Sequence, residues 1–241
     1  MKPFDRRKVD LNKMPATVDE YMQQVVVSRE RCPDIVMADP ESIPVFSKPM
    51  KQLVHIDPAL SYTSQFTPGH EWNTEKSNLF SLYRSLVEAM NFDENTVKDF
   101  IYPSPNDYGR WRRIFFEQRP DGFHLPQQLE RRFAHHTGTP PTVTLVKSFS
   151  DVQVNSLIPC VVEYVIDRGY SKAYFEWIFS LMLVVKKPLL HDVISSLRDF
   201  ARKCRIWRSV LEEDQKELIY ECSAMIAIIS IYFNQKDLGD P

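Results

Sequence analysis

Beyond residue 68 apolar residues recur at the spacing of a helical face, whereas before it that spacing survives in one short segment only. Leu79, Leu82, Tyr83, Leu86 and Met90 follow the i, i+3, i+4, i+7 template and predict a helix over about 72–91. Ser104 and Pro105 read as an N-cap followed by proline in the first turn, opening a helix through Trp111, Ile114 and Phe115. A third helix is predicted over 126–136, and Gly138-Thr139-Pro140-Pro141 breaks the chain after it. Ser150 and Asp151 cap a helix toward Asp167, kinked or interrupted at Pro159 and ended by Gly169. The next starts at Ser171 and must stop before Pro188. Leu190, Val193, Ile194, Leu197, Ala201 and Cys204 form the cleanest amphipathic stripe, and 217–233 is apolar nearly all round, as a central buried helix is. No sustained strand alternation and no fixed repeat is present.

The first 68 residues hold eight prolines and no glycine, which blocks long helices and removes backbone donors. One segment escapes. Thr17 and Glu20 have capping-box spacing, Tyr21, Val25 and Ser28 follow on one face, and Pro33 stops the run. The predicted fold class is therefore all-α, a helical bundle domain over 68–241 preceded by an extended proline-rich N-terminal arm over 1–67 with one short helix near 18–31.

With 241 residues, 43% of them apolar and 12% aromatic, the chain can bury one sizeable core, and full-length disorder is excluded. Thirty Lys and Arg against 32 Asp and Glu leave a net charge of −2, so any nucleic-acid contact needs a local patch. Cys32, Cys160, Cys204 and Cys222 stand far apart, without zinc-site spacing, and read as free thiols of a reducing compartment. The charged start (Lys2, Asp5, Arg6, Arg7, Lys8) lacks a secretory apolar region, and the runs 177–185 and 224–233 fall short of the ~20 residues that span a bilayer. No membrane association is expected.

Chemistry is sparse. Six isolated glycines leave no place for GxGxxG, a Walker A loop or GxSxG. His135-His136 is the sole histidine pair; on a helix its rings would point about 100° apart, so neither a metal nor a cofactor is expected there. Asp107, Glu117, Glu163, Asp167 and Glu176 show no spacing that favours acid–base work. The chain is expected not to be an enzyme. Two basic clusters remain: a stripe of Arg198, Arg202 and Arg205, and Arg110-Trp111-Arg112-Arg113. Each could be a solvated face, and Trp111 also falls in register with the core positions Ile114 and Phe115.

Five blocks in order carry a family resemblance. They are Asp19-Glu20-Tyr21 leading to Cys32-Pro33-Asp34-Ile35-Val36; Pro68 and Trp72 followed by Phe80-Ser81 and Arg84; Trp111 among its bases; Lys187-Pro188-Leu189-Leu190 with Leu197-Arg198 and Ala201-Arg202-Lys203-Cys204; and Tyr232-Phe233-Asn234-Gln235-Lys236-Asp237-Leu238. Together they resemble the Gemin-two family, subunits of the machinery that loads Sm proteins onto spliceosomal snRNA. The resemblance implies a cytoplasmic, also nuclear, adaptor that binds the survival motor neuron protein and a partial ring of Sm proteins D-one, D-two, F, E and G.

By carry-over, Tyr21, Pro33, Asp34 and Val36 would lie in the arm's Sm contact, and Trp72, Phe80, Tyr83, Glu176 and Trp177 in or under a groove for the survival motor neuron protein. RNA contact would be indirect or weak. Two positions depart from the family's pattern: Val9-Asp10-Leu11 stands where Phe-Asp-Pro is frequent, and Glu176 where relatives carry arginine. The competing reading is an RNA-binding helical domain using Arg198, Arg202 and Arg205 with Arg110, Arg112 and Arg113.

Overall fold

The computed structural model describes residues 4–33, 62, 64–91, 100–121 and 123–240. They are helical with no strand, as the periodicity predicts. The chain divides into two compact units, Met1–Val54 and His55–Pro241.

In the first unit, α1 (Val18–Arg31) starts where Thr17 Oγ1 accepts the Glu20 amide at 3.2 Å. The Glu20 carboxylate reaches back one residue further than a capping box requires and accepts from the Ala16 amide at 2.7 Å. Gln24 donates to the carbonyls of Asp10 and Lys13, which ties the preceding segment along the helix. Asp10 is thereby held through its backbone carbonyl by the Gln24 amide. The proline-rich stretch 34–61, with Asp34 and Val36, lies outside the described residues.

The second unit opens with α2 (His70–Ala89). After it comes α3 (Tyr108–Arg112), which continues as a π-helical turn over Arg113–Glu117. Its cap is Asp107, whose carboxylate accepts from the Arg110 amide, three residues later than the Ser104-Pro105 pair predicts. Ser104 has another use: its carbonyl receives the indole N–H of buried Trp111 at 2.9 Å.

The chain leaves α4 (Gln127–Arg132) at Phe133, so 133–136 is a turn rather than the end of a longer helix. A short α5 (Val143–Lys147), capped by Thr142, follows the Pro140-Pro141 break. α6 (Asp151–Arg168) begins with a complete capping box between Ser150 and Gln153 and ends at Gly169, whose φ of 89° favours glycine. It runs through Pro159 as one helix, since the buried side chains around that proline (Leu157, Ile158, Cys160, Val161) fix the flanking turns. α7 (Lys172–Val184), α8 (His191–Ser209) and α9 (Lys216–Ala227) complete the bundle, the last passing into a π-helical turn over Ile228–Tyr232.

α6 packs on α7 and α8, α8 on α9, and α2 lies across α7, α9 and the final turn. At the centre Trp177 stacks on Phe115 with ring centroids 3.7 Å apart and donates its indole N–H to the Thr139 carbonyl at 2.9 Å. Among the described residues no helix is long and apolar enough to cross a membrane.

Candidate partner-binding surfaces

The apolar stripe that predicts α2 does not face the core. The buried side of that helix is Asn73, Ser77 and Phe80, while Leu82, Tyr83, Leu86 and Met90 are 41–54% exposed. Four large apolar side chains in helical register at the surface form a patch that a partner would cover. Arg84 faces inward, donating to the carbonyls of Met182 (2.6 Å) and Val185 (2.7 Å), and so caps the end of α7.

Beside the stripe runs a groove of about 240 Å³ between α2, α7 and α9. Leu79, Phe80 and Tyr83 supply one wall, Phe179 the second, Tyr220, Met225 and Ile228 the third, with Lys76, Glu176 and Glu221 among the polar lining. Phe80 is its buried floor, edge-on to Phe179 at 5.6 Å and Tyr232 at 4.9 Å. Such a channel, apolar along its length and charged at its margins, fits one face of an amphipathic helix.

The five groove residues carried over from the resemblance thus separate. Phe80, Tyr83 and Glu176 meet here. Trp72 lies edge-on to Tyr220 at 5.5 Å and lines a neighbouring shallow pocket with Phe66 and Pro68. Trp177 is fully buried on the far side of α7 and lines neither. Phe179, Tyr220, Met225 and Ile228 are not singled out by sequence reasoning; their signal is membership of the run 177–185 or of the apolar helix 217–233, which cannot tell an open wall from a packed one.

On the first unit, Val18, Tyr21, Met22 and Val25 form a second exposed apolar stripe along α1, and Pro33 beyond it is exposed. Again the apolar face of a helix is turned to solvent.

The arginine stripe on α8 is not a solvated basic face. Arg198 donates to Gln235 and to Asp237 at 2.5–2.9 Å, Arg205 to the carbonyls of Leu238 and Gly239, and Arg202 pairs with Asp199. Arg198 holds the Asp237 carboxyl below the usual aspartate range. Arg198 and Arg205 fasten residues 235–239 to α8. At the other cluster Arg112 pairs with Glu163 and Trp111 is fully buried, so no base could stack on that indole. Arg110 and Arg113 are both exposed.

Glu176 has partners inside the chain. Because the backbone leaves α4 at Phe133, the two adjacent histidines do not diverge as they would on a helix. His135 Nε2 lies 3.0 Å and His136 Nε2 2.7 Å from the same carboxylate oxygen. Partial burial pushes this carboxyl up, but the hydrogen bonds from His136 and His135 outweigh it and hold the group below the ordinary glutamate value.

A family model described as "Survival motor neuron (SMN) interacting protein 1 (SIP1)" matches residues 8–236. Gem-associated protein 2 of Xenopus laevis is 25% identical, the match covering 94% of this chain and 90% of that protein. The protein of the same name from Mus musculus is 24% identical, with 94% and 86% covered. That from Drosophila melanogaster is 22% identical, with 96% and 89% covered. Among solved structures, a chain of the 8S snRNP assembly intermediate superposes with a TM-score of 0.50 and 18% identity, covering 92% of this chain and 98% of that one. That superposition supports the fold.

Proposed function

Because the chain belongs to the survival motor neuron (SMN) interacting protein 1 family, we propose that it is a non-enzymatic adaptor of cytoplasmic spliceosomal snRNP assembly, holding an SMN helix and Sm proteins on separate surfaces. Family membership, read first from five short sequence blocks, rests on the match over residues 8–236. The observation that carries the mechanism is the outward apolar stripe of α2 beside an apolar groove.

A helix of the survival motor neuron protein would lay its apolar face along Tyr83, Leu86 and the groove floor at Phe80, releasing water from surface that is exposed in the free chain. Glu176 is not a free acid awaiting a base, since two imidazoles already hold it. The recognition is therefore mainly apolar at that end of the groove. The stripe Val18, Tyr21, Met22 and Val25, with Pro33 beyond it, is the corresponding surface for Sm proteins D-one, D-two, F, E and G. Two contacts on two units of one chain would add by effective concentration when both partners belong to one assembly.

Titration of an SMN-derived helical peptide into the full chain tests the groove. Leu86→Glu should weaken binding by about 2 kcal/mol or more while leaving unfolding free energy within about 0.5 kcal/mol, because the side chain touches little of the core. Unchanged affinity in that variant would remove α2 from the interface. The RNA-binding alternative loses Trp111 to the core and Arg198 and Arg205 to residues 235–239, and keeps the exposed Arg110 and Arg113 without an aromatic to stack on.

A further inference from the structure

We propose that His135, His136 and Glu176 bind a divalent transition-metal ion of the Zn²⁺ class, which clips the turn after α4 to α7. Among the described residues this trio is a group whose ligand atoms all lie within 4.8 Å of one another. Two imidazole nitrogens and one carboxylate oxygen match Zn²⁺, Co²⁺ or Cu²⁺ and not the all-oxygen shells of Mg²⁺ or Ca²⁺.

The placement is built rather than accidental. His136 has a fully buried side chain, its amide donates to the Phe133 carbonyl at 2.9 Å, and its ring lies edge-on to Phe133 at 5.5 Å. Arg119 braces the same turn, pairing with Glu130 and donating to the carbonyls of Gly138 and His136. One ligand is thus rigid. His135 and Glu176 are each about one-third exposed, at 31% and 32%, which gives an ion a way in and leaves a coordination position for water.

Metal–ligand bonds of roughly 2.0–2.1 Å put tetrahedral ligand atoms about 3.3 Å apart. The two short N···O distances must open by a few tenths of an ångström and the widest ligand pair, up to 4.8 Å apart, must close, which the partly exposed His135 and Glu176 side chains allow. With Nε2–H as the donor to the shared carboxylate oxygen, each imidazole carries its lone pair on Nδ1, and His136 Nδ1 is buried without a hydrogen-bond partner. Coordination takes the Nε2 lone pair, and the ring proton moves to Nδ1, where no protein acceptor meets it. A missing outer partner of this kind lowers affinity about 10–100-fold, so the ion is exchangeable and the fold does not depend on it.

The test is Co²⁺ and Zn²⁺ titration of the full chain in a Cys32→Ser background, which removes the one exposed thiol. One Co²⁺ per chain should bind with the visible absorption of a low-symmetry site, Zn²⁺ should displace it, and Zn²⁺ should raise the thermal midpoint. His135→Ala and Glu176→Gln should each lower Zn²⁺ affinity at least about tenfold and cancel the midpoint shift. Uptake unchanged in both variants, or none at millimolar ion in the parent, would overturn the proposal, leaving a carboxylate that only accepts two hydrogen bonds.

Discussion

Arg208 and Asp240, each 2% exposed in their side chains, form a forked pair with contacts of 2.5 and 2.8 Å, and Ser223 takes a further guanidinium hydrogen. Such a pair contributes little over an apolar replacement, but removing one partner strands a buried charge. Asp240→Ala should therefore cost about 3–5 kcal/mol in denaturant unfolding. Asp237→Ala, whose carboxylate is more than half exposed, should cost no more than about 1 kcal/mol although it also meets an arginine. Equal losses would show that the fastening is shared evenly along the chain end.

Glu176 gives a pH prediction of definite sign. Its folded carboxyl titrates below the ordinary value of 4.5, so its contribution to stability is present above that value and is lost as pH falls through the lower folded one. Glu176→Gln should flatten that acid limb while leaving the limb from other carboxylates, measured by chemical unfolding at stepped pH. The residue's partners were hidden in the sequence. A helix reading over 126–136 separates His135 from His136, and only the early end of α4 lets both rings reach one oxygen.

At the scale of elements, most helices were legible because their caps and breakers are local: Thr17, Ser150, Gly169 and Pro188 each mark an end within a few residues. The direction in which a helix faces is not local. α2 has a clean apolar stripe, yet it buries Asn73, Ser77 and Phe80 and leaves Leu82, Tyr83, Leu86 and Met90 exposed. The sequence blocks that revealed the family also turn out to hold the fold. Arg84 caps α7, Lys187 sits 3.7 Å over the Tyr232 ring and donates to its carbonyl, and Arg198 meets Asp237. The last two join one block to another, and so does Arg84 through the Tyr232 ring at 5.6 Å. That is why resemblance located the family readily and the groove walls poorly.

Gly138 tests how tightly the loop beneath Trp177 is packed. A Cβ there would stand 2.3 Å from the Phe115 carbonyl oxygen, a backbone atom that cannot swing aside, next to the Thr139 amide's bond to Ile114. Gly138→Ala should destabilise by more than the ~1 kcal/mol expected for Ser150→Ala at the α6 cap. Thermal melts of the two variants side by side decide it, and a neutral Gly138→Ala would mean that the π-helical turn moves freely.

On the scale of the whole molecule, the chain keeps its aromatic residues in two roles. Trp111, Trp177, Phe115 and Phe149 are locked in a core that needs no partner. Tyr21 and Tyr83 remain at the surface of helices whose apolar faces look outward, and Tyr220 is exposed at the groove. An adaptor needs both: a body that is stable when free, and apolar faces that are stable only when covered. The two faces lie on different units, so each should be separable from the other by mutation.

Coexpression of the full chain with an SMN-derived helical peptide and the five Sm proteins, read by size-exclusion coelution, tests the central claim most directly. One complex containing all partners is predicted for the parent chain. Leu82→Glu with Leu86→Glu should release the peptide alone, and Tyr21→Ser with Val25→Ser should weaken Sm retention alone. A parent chain that coelutes with neither partner, or paired variants that leave both in place, would contradict the account.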